Sequence, residues 1–513
     1  MGTSEIPPVL TLPPELLHHI LSFLSLSDLL SISLVNRILH SHTQTDTLYA
    51  PFILSHLPGI QKPPSLSWLS LYKTHHPYWF IPASKLWFAN TIHTGKLLIA
   101  RYNPSTNAIE AFSLVAERLQ PTITHWSWNP EAIIHTFSPR TQLDLTAPVI
   151  RLDALAYARA VGQPGHRLQT EIPMATFRDT PHASSGLQSR LMLTKPWPKA
   201  ITSEMTPVWP PLLLPSPSRT RSDTASGFRD SSHRPRTLSE LSTSTFRLRK
   251  WMEFSSRPHA MNIHVGEEIV TFATLEKGVY TPSVRKPWQG IWAGDYAGHG
   301  VEFLVVTQPD EGMERELPER ARWAMAKREQ EREREESVGS SEESWSTAPD
   351  TPESSGSGNE SAFETAALSD TEEDRELDHS WATITASTSA RKHDHDMVAL
   401  EDVDPNEDIY HGRIEAIKLT GDPNIPRGEY TFIAPDIGPN GLIRIATESP
   451  FKGARIVKSV GHIAERGFRD DDFISSQLIL ISHDRLAQYW EAFGHVSFYQ
   501  RVDVDTFTKV KVA

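Results

Sequence analysis

The residues of this chain that could carry out chemistry are scattered and lack the partners that catalysis requires. Ser482-His483-Asp484 supplies the side-chain types of a hydrolase triad, but neighbouring residues cannot reach one another in triad geometry. No G-x-S-x-G segment is present. His393-Asp394-His395-Asp396 offers imidazoles and carboxylates, yet it lies in an acidic tract with no scaffold to fix metal ligands. The sequence therefore predicts that the chain is not an enzyme and holds no metal or other cofactor.

The chain has 513 residues and no cysteine, which excludes disulfides, zinc–thiolate sites and cysteine nucleophiles. A ubiquitin ligase of the cysteine-thioester or RING type is thereby excluded as the catalytic chain itself. No apolar run approaches the ~18 residues of a membrane helix, and MGTSEIPP lacks the regions of a signal peptide. We expect a soluble intracellular protein, cytoplasmic and/or nuclear, that binds neither membrane nor nucleic acid.

Two ordered loops remain as candidates for a binding function. Residues 290–300 read GIWAGDYAGHG and fail as a phosphate loop, because no Gly-Lys-Ser/Thr follows. They predict a tight β-turn, with Trp292 and Tyr296 packed on the β domain. Residues 420–428 read TGDPNIPRG, in which two prolines fix φ and Asp422 can form an Asx turn. Composition leaves two interpretations open: turn architecture alone, or a rigid rim that presents Asp422 to a ligand.

The elements that would position these loops begin with short amphipathic helices. Leu12-Pro13-Pro14-Glu15 is a helix start, and apolar residues follow at helical spacing. Ser27-Asp28 predicts the N-cap of a second helix, and a third helix passes through Ile38 and Leu39. About 40 residues cannot bury so many leucines internally, so the unit predicts an interaction module that needs a partner surface.

The segment LPPELLHHILSFLSLSDLLSISLVNRILHSHTQTDTLY resembles the F-box of fungal F-box proteins, from the opening Leu-Pro to the closing Leu48-Tyr49. The resemblance implies that this unit binds a Skp-type adaptor and, through it, a cullin. The residues expected to contact the adaptor are Leu12, Pro13, Leu16, Leu17, Ile20, Leu21, Leu29, Leu34 and Val35.

A dozen or so short alternating segments follow, such as KLLIARYN, GLIRIAT and SSQLILIS, with few strong helices. They indicate one large antiparallel barrel or sandwich. The predicted fold class is α+β, a three-helix F-box followed by a mainly antiparallel β-barrel-like domain with disordered insertions. The expected divisions are the F-box at 9–55, a linker helix at 64–80, the barrel at 81–310 and 411–513, a disordered basic Ser/Pro loop at 215–245, a charged helix at 314–336 and a disordered acidic insertion at 337–408.

The acidic insertion dominates the charge of the chain. Residues 337–408 contain 19 Asp and Glu against three Lys and Arg, whereas the net charge of the whole chain is −13. The rest of the chain is therefore close to neutral, and nothing in it indicates a nucleic-acid-binding face.

The segments IWAGDYAGHGVEFLVV and AIKLTGDPNIPRGEYTF resemble the C-terminal domain of the animal F-box-only family linked to cyclin D turnover and recognition of amidated C-termini. The resemblance implies that both motifs border a substrate pocket in a β-barrel. The substrate-binding residues expected from it are Asp422, Asn424, His299, Glu302 and Tyr296. Some animal members carry a cysteine/histidine zinc site, which this cysteine-free chain cannot form.

Together the two resemblances imply the substrate-recognition subunit of an SCF-type (cullin–RING) ubiquitin ligase. The β domain would bind a protein client, possibly through a modified C-terminus. Two other functions stay open on the sequence: a scaffold whose F-box binds the adaptor outside any ligase, and a calycin-like barrel for a small apolar ligand. The last of these predicts an apolar interior with few charges.

Overall fold

The computed structural model of this protein describes residues 8–89, 96–120, 122–161, 166–174, 185–196, 233–256, 261–296, 300–339 and 409–510. Of the stretches predicted as disordered, 215–245 and 337–408, residues 215–232 and 340–408 lie outside the described residues, as do His299 and His393-Asp394-His395-Asp396. Residues 233–245 and 337–339 are described and are ordered: the first stretch contains a 3-10 helix at Leu238–Glu240 and the start of a strand at Thr245, and the second belongs to a helix.

The described helices are α1 (Pro14–Leu21), α2 (Leu26–Ser33), α3 (Arg37–Thr43), α4 (Ala50–Leu54), α5 (Trp68–His75), α6 (Phe80–Ser84), α7 (Ala154–Ala160), α8 (Lys277–Tyr280), α9 (Glu319–Gly339) and α10 (Val504–Thr508). The described strands are β1 (Leu86–Ala89), β2 (Lys96–Asn103), β3 (Ala108–Glu117), β4 (Ile123–Trp126), β5 (Asn129–His135), β6 (Arg140–Leu143), β7 (Ile150–Leu152), β8 (Ile172–Met174), β9 (Ser185–Leu193), β10 (Thr245–Ser256), β11 (Met261–Ala273), β12 (Gly290–Asp295), β13 (Val301–Thr307), β14 (Ile414–Lys418), β15 (Tyr430–Ala434), β16 (Leu442–Ile445), β17 (Arg455–Glu465), β18 (Arg469–Ser482), β19 (Arg485–Trp490) and β20 (His495–Val502).

The strands form two sheets. The first has the order β6-β3-β2-β1-β11-β10-β9-β8, with β7 paired to β3. In the second, β12-β13-β14-β15-β17-β18-β19-β20 closes on itself because β20 also pairs with β12, which gives an eight-stranded antiparallel barrel. The hairpin β4–β5 attaches to β20 through a parallel pairing, and β16 attaches to β17. The helical N-terminal unit and the antiparallel barrel are as the sequence predicts.

The extent of the barrel differs from the prediction of one barrel over 81–310 and 411–513. Its eight strands come from residues 290–502, whereas most strands before residue 274 belong to the first sheet. The alternation of apolar and polar residues is the same in either sheet, so it could not separate them. Closure depends on pairs such as Gly294 with Tyr499, which are distant in the sequence.

The two sheets pack through one shared core. Leu86, Phe88 and Ile99 of the first sheet meet Phe303 and Ile433 on the outside of the barrel. The barrel interior has a separate apolar core at one end, built by Trp292, Leu304, Ala416, Phe432, Val457, Leu478 and Leu486. The residues predicted to form a tight turn at 290–295 are instead strand β12, and Trp292 is buried inside the barrel.

The N-terminal helices form a small unit with its own core. The Ser25 side chain accepts a hydrogen bond from the Asp28 N–H, and Asn36 accepts one from the Leu39 N–H, so both helices have side-chain caps. The N-cap of α2 is thus Ser25, not the predicted Ser27-Asp28. The core consists of Leu17, Leu21, Leu29, Leu48 and Tyr49.

Two predicted helices have different limits in the structure. The linker helix expected at 64–80 is α5, which ends at His75 before Pro77, followed by α6. The charged helix expected at 314–336 is α9, which starts after Pro318; the Pro318 carbonyl accepts the first helical bond, from the Arg322 N–H. Among the described helices, none has both the length and the apolar character to cross a membrane.

Candidate functional site

An apolar surface on α1 to α3 is the first candidate site. Leu34 is 85% exposed and Val35 is 67% exposed, just after α2, while Leu16 and Ile20 lie four residues apart on α1 and also face solvent. Pro13 is exposed and Leu12 is half-buried. Exposed apolar side chains concentrated on such a small unit are typical of a protein-binding surface.

Three residues predicted to contact an adaptor are not on that surface. Leu17, Leu21 and Leu29 are at most 2% exposed and form the internal core of the unit, so their prediction as surface contacts is corrected. The residues that pattern reasoning missed are the exposed Phe23, Leu30 and Ile38. The sequence shows which residues are apolar, and helical spacing shows which of them share a face. Only the packing of the helices decides which of these faces points inward.

The second candidate site lies inside the barrel, at the end opposite its apolar core. Glu302 alternates with Leu304 on β13, and Lys418 alternates with Ala416 on β14, so all four side chains point into the barrel. The pairing of Leu304 with Lys418 brings the two charged residues onto neighbouring strands. Lys418 is 1% exposed and Glu302 3% exposed.

One buried ammonium group bridges two buried carboxyl groups. The Nζ of Lys418 lies 2.9 Å from Oε2 of Glu302 and also donates to Oδ2 of Asp422. The same Nζ lies 4.5 Å from the centre of the Tyr296 ring, a cation–π contact. Glu302, Lys418 and Asp422 are called the ion trio below.

The TGDPNIPRG loop holds Asp422 in place by an Asx turn, as the sequence predicts. Its Oδ1 accepts the N–H groups of Asn424 and Ile425, each at 2.6 Å. The Asn424 side chain donates to the Ala464 carbonyl at 2.9 Å, and the Pro423 carbonyl accepts the Gly467 N–H at 2.8 Å. The loop is therefore fastened to the β17–β18 hairpin.

The electrostatics of the ion trio follow from burial and from the single cation. Burial raises the pKa of the Glu302 carboxyl to about 8, against the lowering effect of Lys418, so Glu302 is mostly neutral at pH 7. Burial also opposes ionisation of Asp422, but the Lys418 charge and the hydrogen bonds to its oxygens outweigh it and lower its pKa to about 2. Burial disfavours the charged form of Lys418, yet the two acidic partners hold its pKa above the ordinary value.

A layer of neutral polar side chains continues across the interior from the ion trio. The Tyr499 hydroxyl donates to Oε1 of Gln488 at 2.9 Å, and Nε2 of Gln488 donates to Oγ of Ser476 at 3.1 Å. Ser476 and Ser459 share a hydrogen bond of 2.8 Å between their hydroxyl groups. This end of the interior can therefore offer both donors and acceptors.

Two glycines make room for the aromatic rings of this layer. A Cβ on Gly461 would lie 2.2 Å from the Trp490 ring, and one on Gly294 would lie 2.7 Å from the Tyr499 ring. Any side chain at these positions would displace a ring from the interior wall. The glycines in β12 and β17 therefore serve close packing of the rings inside strands.

Of the predicted substrate-binding residues, Asp422, Glu302 and Tyr296 come together around Lys418. Asn424 lies near them, but its side chain donates to the Ala464 carbonyl and so anchors the loop. Sequence reasoning missed Lys418, although a signal exists: it is the one charged residue at an inward position of β14, after Ile414 and Ala416. The three buried ionisable groups also count against a calycin-like interior for an apolar ligand.

Ser482, His483 and Asp484 lie together at the β18–β19 turn, on the surface. The His483 carbonyl accepts from the Arg501 side chain, and Asp484 Oδ1 lies 2.7 Å from Arg501 Nε. Their contacts there serve the turn rather than a catalytic centre. Among the described residues, no group of three or more His, Asp or Glu could hold a metal ion.

Comparison with known families matches both candidate sites. The F-box-like family matches residues 9–55, and the family described as Cyclin D1 binding domain matches residues 272–506. The chain therefore carries an F-box-like domain at its N-terminus and a cyclin D1 binding domain in its C-terminal region. No curated protein matched the chain.

The two family matches imply a function when they are considered together. An F-box-like domain implies binding to a Skp-type adaptor, and a cyclin D1 binding domain implies a protein substrate. Their combination in one chain implies a substrate receptor of an SCF-type ligase, a role in which F-box proteins typically have no catalysis of their own.

Proposed function

We propose that this chain, with its F-box-like domain and cyclin D1 binding domain, recruits protein clients to a cullin–RING ligase through their modified C-termini. The helical unit at 9–55 binds the Skp-type adaptor through Leu16, Ile20, Leu34 and Val35. The end of the barrel that contains the ion trio receives the C-terminus of the client. The chain contributes proximity and orientation, while other subunits carry out ubiquitin transfer.

The observation that carries the proposal is the charge balance of the ion trio. Lys418 is the ammonium shared by both acids, and Asp422, held ionised, already compensates it. With Glu302 neutral, the trio has no net charge to offer an incoming carboxylate. A free C-terminal carboxylate would bring an uncompensated negative charge into a buried site, which is costly.

A C-terminal amide avoids that cost. It is uncharged, it donates through its NH₂ group and it accepts through its carbonyl oxygen. The neutral Glu302 carboxyl group, hydrogen-bonded to Asp422, can accept the NH₂ group, and the Gln488 amide in the neighbouring polar layer can donate to the carbonyl oxygen. The site therefore discriminates in two ways: it hydrogen-bonds a C-terminal amide, and it leaves the charge of a free C-terminal carboxylate unpaired.

Asp422 has a structural duty as well, because it caps its own loop. Asp422→Asn keeps an oxygen to accept the two N–H groups, while it removes the negative charge that balances Lys418. The single variant is expected to fold and to keep the amide preference, because Glu302, no longer opposed by the Asp422 charge, can ionise and balance Lys418 instead. Glu302→Gln alone should also keep the preference, since it leaves the Lys418–Asp422 charge pair intact. Only the double variant Asp422→Asn/Glu302→Gln leaves the ammonium without an acid, and it should lose the preference because that ammonium favours a carboxylate.

The experiment measures dissociation constants of two peptides identical except for a C-terminal amide or acid. The full-length chain, in complex with its adaptor, is used as wild type, as the two single variants and as the double variant Asp422→Asn/Glu302→Gln, with melting curves to verify folding. We expect an amide preference of about tenfold or more in the wild type and in each single variant, which corresponds to ~1.4 kcal/mol, and a loss of it in the double variant. Equal binding of both peptides by the wild type would contradict the amide proposal and leave the receptor role standing.

A further inference from the structure

The hairpin β4–β5 continues the inner surface of the barrel beyond its opening. Gly294 pairs with both Glu302 and Tyr499, so the His495 end of β20 lies at the same end of the barrel as the ion trio. Tyr499, Ser497 and His495 alternate onto the inner face of β20. His495 pairs with Ile133 of β5, which places Ile133 on the continuation of that inner face.

The exposed face of the hairpin is a small apolar and imidazole platform. Ile133 pairs with His125, and His135 pairs with Ile123, so all four side chains share one face with His495. Ile123 is 65% exposed and Ile133 is 46% exposed, whereas Ala132 and Ile134 on the other face are buried. These five residues, Ile123, His125, Ile133, His135 and His495, are called the lip.

The lip is firmly attached and carries little charge. The Ile133 N–H donates to the Gly494 carbonyl at 2.8 Å, which ties β5 to the residue before β20. Arg118 Nη2 lies 3.0 Å from Asp295 Oδ2, and this ion pair holds the segment that leads into β4 beside the last residue of β12. Within the lip, His135 and His495 stack edge to face at 5.6 Å. Burial, with the nearby His135 and Arg118, lowers the pKa of His495 to about 4, so this imidazole is neutral at pH 7.

Strand β4 also presents backbone hydrogen-bonding groups. Among the described residues it pairs only with β5. The Thr136 N–H donates to the Thr122 carbonyl, so by the alternation of an antiparallel ladder the N–H and C=O groups of Ile123 and His125 point away from β5. An edge of this kind is a template for another strand.

We propose that the client segment just upstream of the C-terminus pairs in extended conformation with the edge of β4 and lays apolar side chains beside Ile123 and His125 of the lip. This inference rests on the proposed function, because the barrel opening is what directs a client to the lip. Strands lie ~4.8 Å apart and an extended chain advances ~3.3 Å per residue, so a peptide must extend several residues beyond the opening to reach β4. Specificity would come from alternate apolar residues and affinity partly from main-chain bonds.

The test uses two amide-ended peptides that share their last three residues. The short peptide has only those three, whereas the long one has 12 residues with valine at alternate upstream positions. Binding is measured to the full-length chain with its adaptor, as wild type, Ile123→Glu and the control Leu145→Glu, another exposed apolar residue away from the lip. A second long peptide carries N-methyl groups at alternate upstream residues, which blocks main-chain donation.

We expect Ile123→Glu to weaken the long peptide about tenfold while the short peptide changes less than twofold, and Leu145→Glu to change neither. N-methylation should weaken the long peptide on the wild type to a similar degree. If Ile123→Glu and N-methylation leave the long peptide unaffected, the lip inference fails while the terminal site stands. If neither peptide binds the wild type, the proposed function fails and the lip inference falls with it. Self-association of the wild type that Ile123→Glu abolishes, with no effect on peptides, would assign the edge to a second copy of the chain instead.

Discussion

The N-terminal helical unit exposes apolar side chains, whereas the barrel buries charged ones. The helical unit is too small to bury its apolar residues and leaves Leu34 and Val35 in solvent, while five side chains form its core. The barrel has ample apolar core and instead buries an ammonium group with two acids. In both domains the candidate binding surface is the part that departs from the usual burial of apolar groups and exposure of charged ones.

The largest effects are expected in the helical unit, where substitutions can distinguish its core residues from its surface residues. Leu17→Asp should unfold the unit, because it places a carboxylate in a core of only five residues. Leu16→Asp should leave the unit folded and abolish adaptor binding, because Leu16 is half exposed. Limited proteolysis of the full chain, which cleaves an unfolded helical unit faster than a folded one, and pull-down of the adaptor by the full chain check both variants. Normal adaptor binding by Leu16→Asp would remove this face as the contact surface.

The corresponding test in the barrel removes its buried cation. Lys418→Met should destabilise the barrel by about 3–5 kcal/mol, because Asp422 is left buried without its counter-charge. Adding Asp422→Asn and Glu302→Gln to the same chain should restore most of the loss. Urea unfolding measures both variants. If the single variant is as stable as the wild type, the trio is better solvated than its burial indicates.

Packing around the polar layer gives a smaller effect. Gly461→Ala should cost about 1–3 kcal/mol, because the added Cβ would lie 2.2 Å from the Trp490 ring and force it to move. Gly278→Ala in α8 is the matched control, since open space surrounds its Cβ and the change should be neutral or slightly stabilising. Melting temperatures of the two variants make the comparison. Equal melting temperatures would mean that the ring adapts without cost.

The prediction whose effect builds up most gradually is a pH dependence, which distinguishes the charged barrel from the apolar helices. Glu302 has its pKa raised by burial to about 8, so the folded barrel binds a proton that the unfolded chain releases near pH 4.3. The stability from this group is therefore full at low pH and is lost as the pH rises towards 8, at about 1.4 kcal/mol per pH unit between the two pKa values. Asp422, with a pKa of about 2, is ionised throughout that range.

Thermal unfolding from pH 5 to pH 9 checks this prediction. The wild type should lose stability across that range more steeply than Glu302→Gln, which has no proton to lose. If the melting temperatures of the wild type and Glu302→Gln change in parallel with pH, Glu302 does not titrate between pH 5 and pH 9.

The features of this protein that depend on local chemistry can be read directly from its amino-acid sequence. Helix starts at proline, the Asx turn at Asp422 and the strand pattern follow from side chains within a few residues of one another, and the F-box motif is contiguous. The absence of cysteine likewise settled several chemistries without any structure. Asp422 and Glu302 could be singled out, because the motifs that contain them are contiguous.

Which of those residues lie together depends on contacts between distant parts of the folded chain. Closure of the barrel by β12 and β20, the division into two sheets and the burial of Leu17 rather than Leu16 all depend on distant partners. Lys418 gained its importance in the same way, because an alternating strand residue becomes a buried cation only when a closed barrel excludes water around it. Side-chain alternation has the same period in every strand, so local pattern carries no information about which face a fold will enclose.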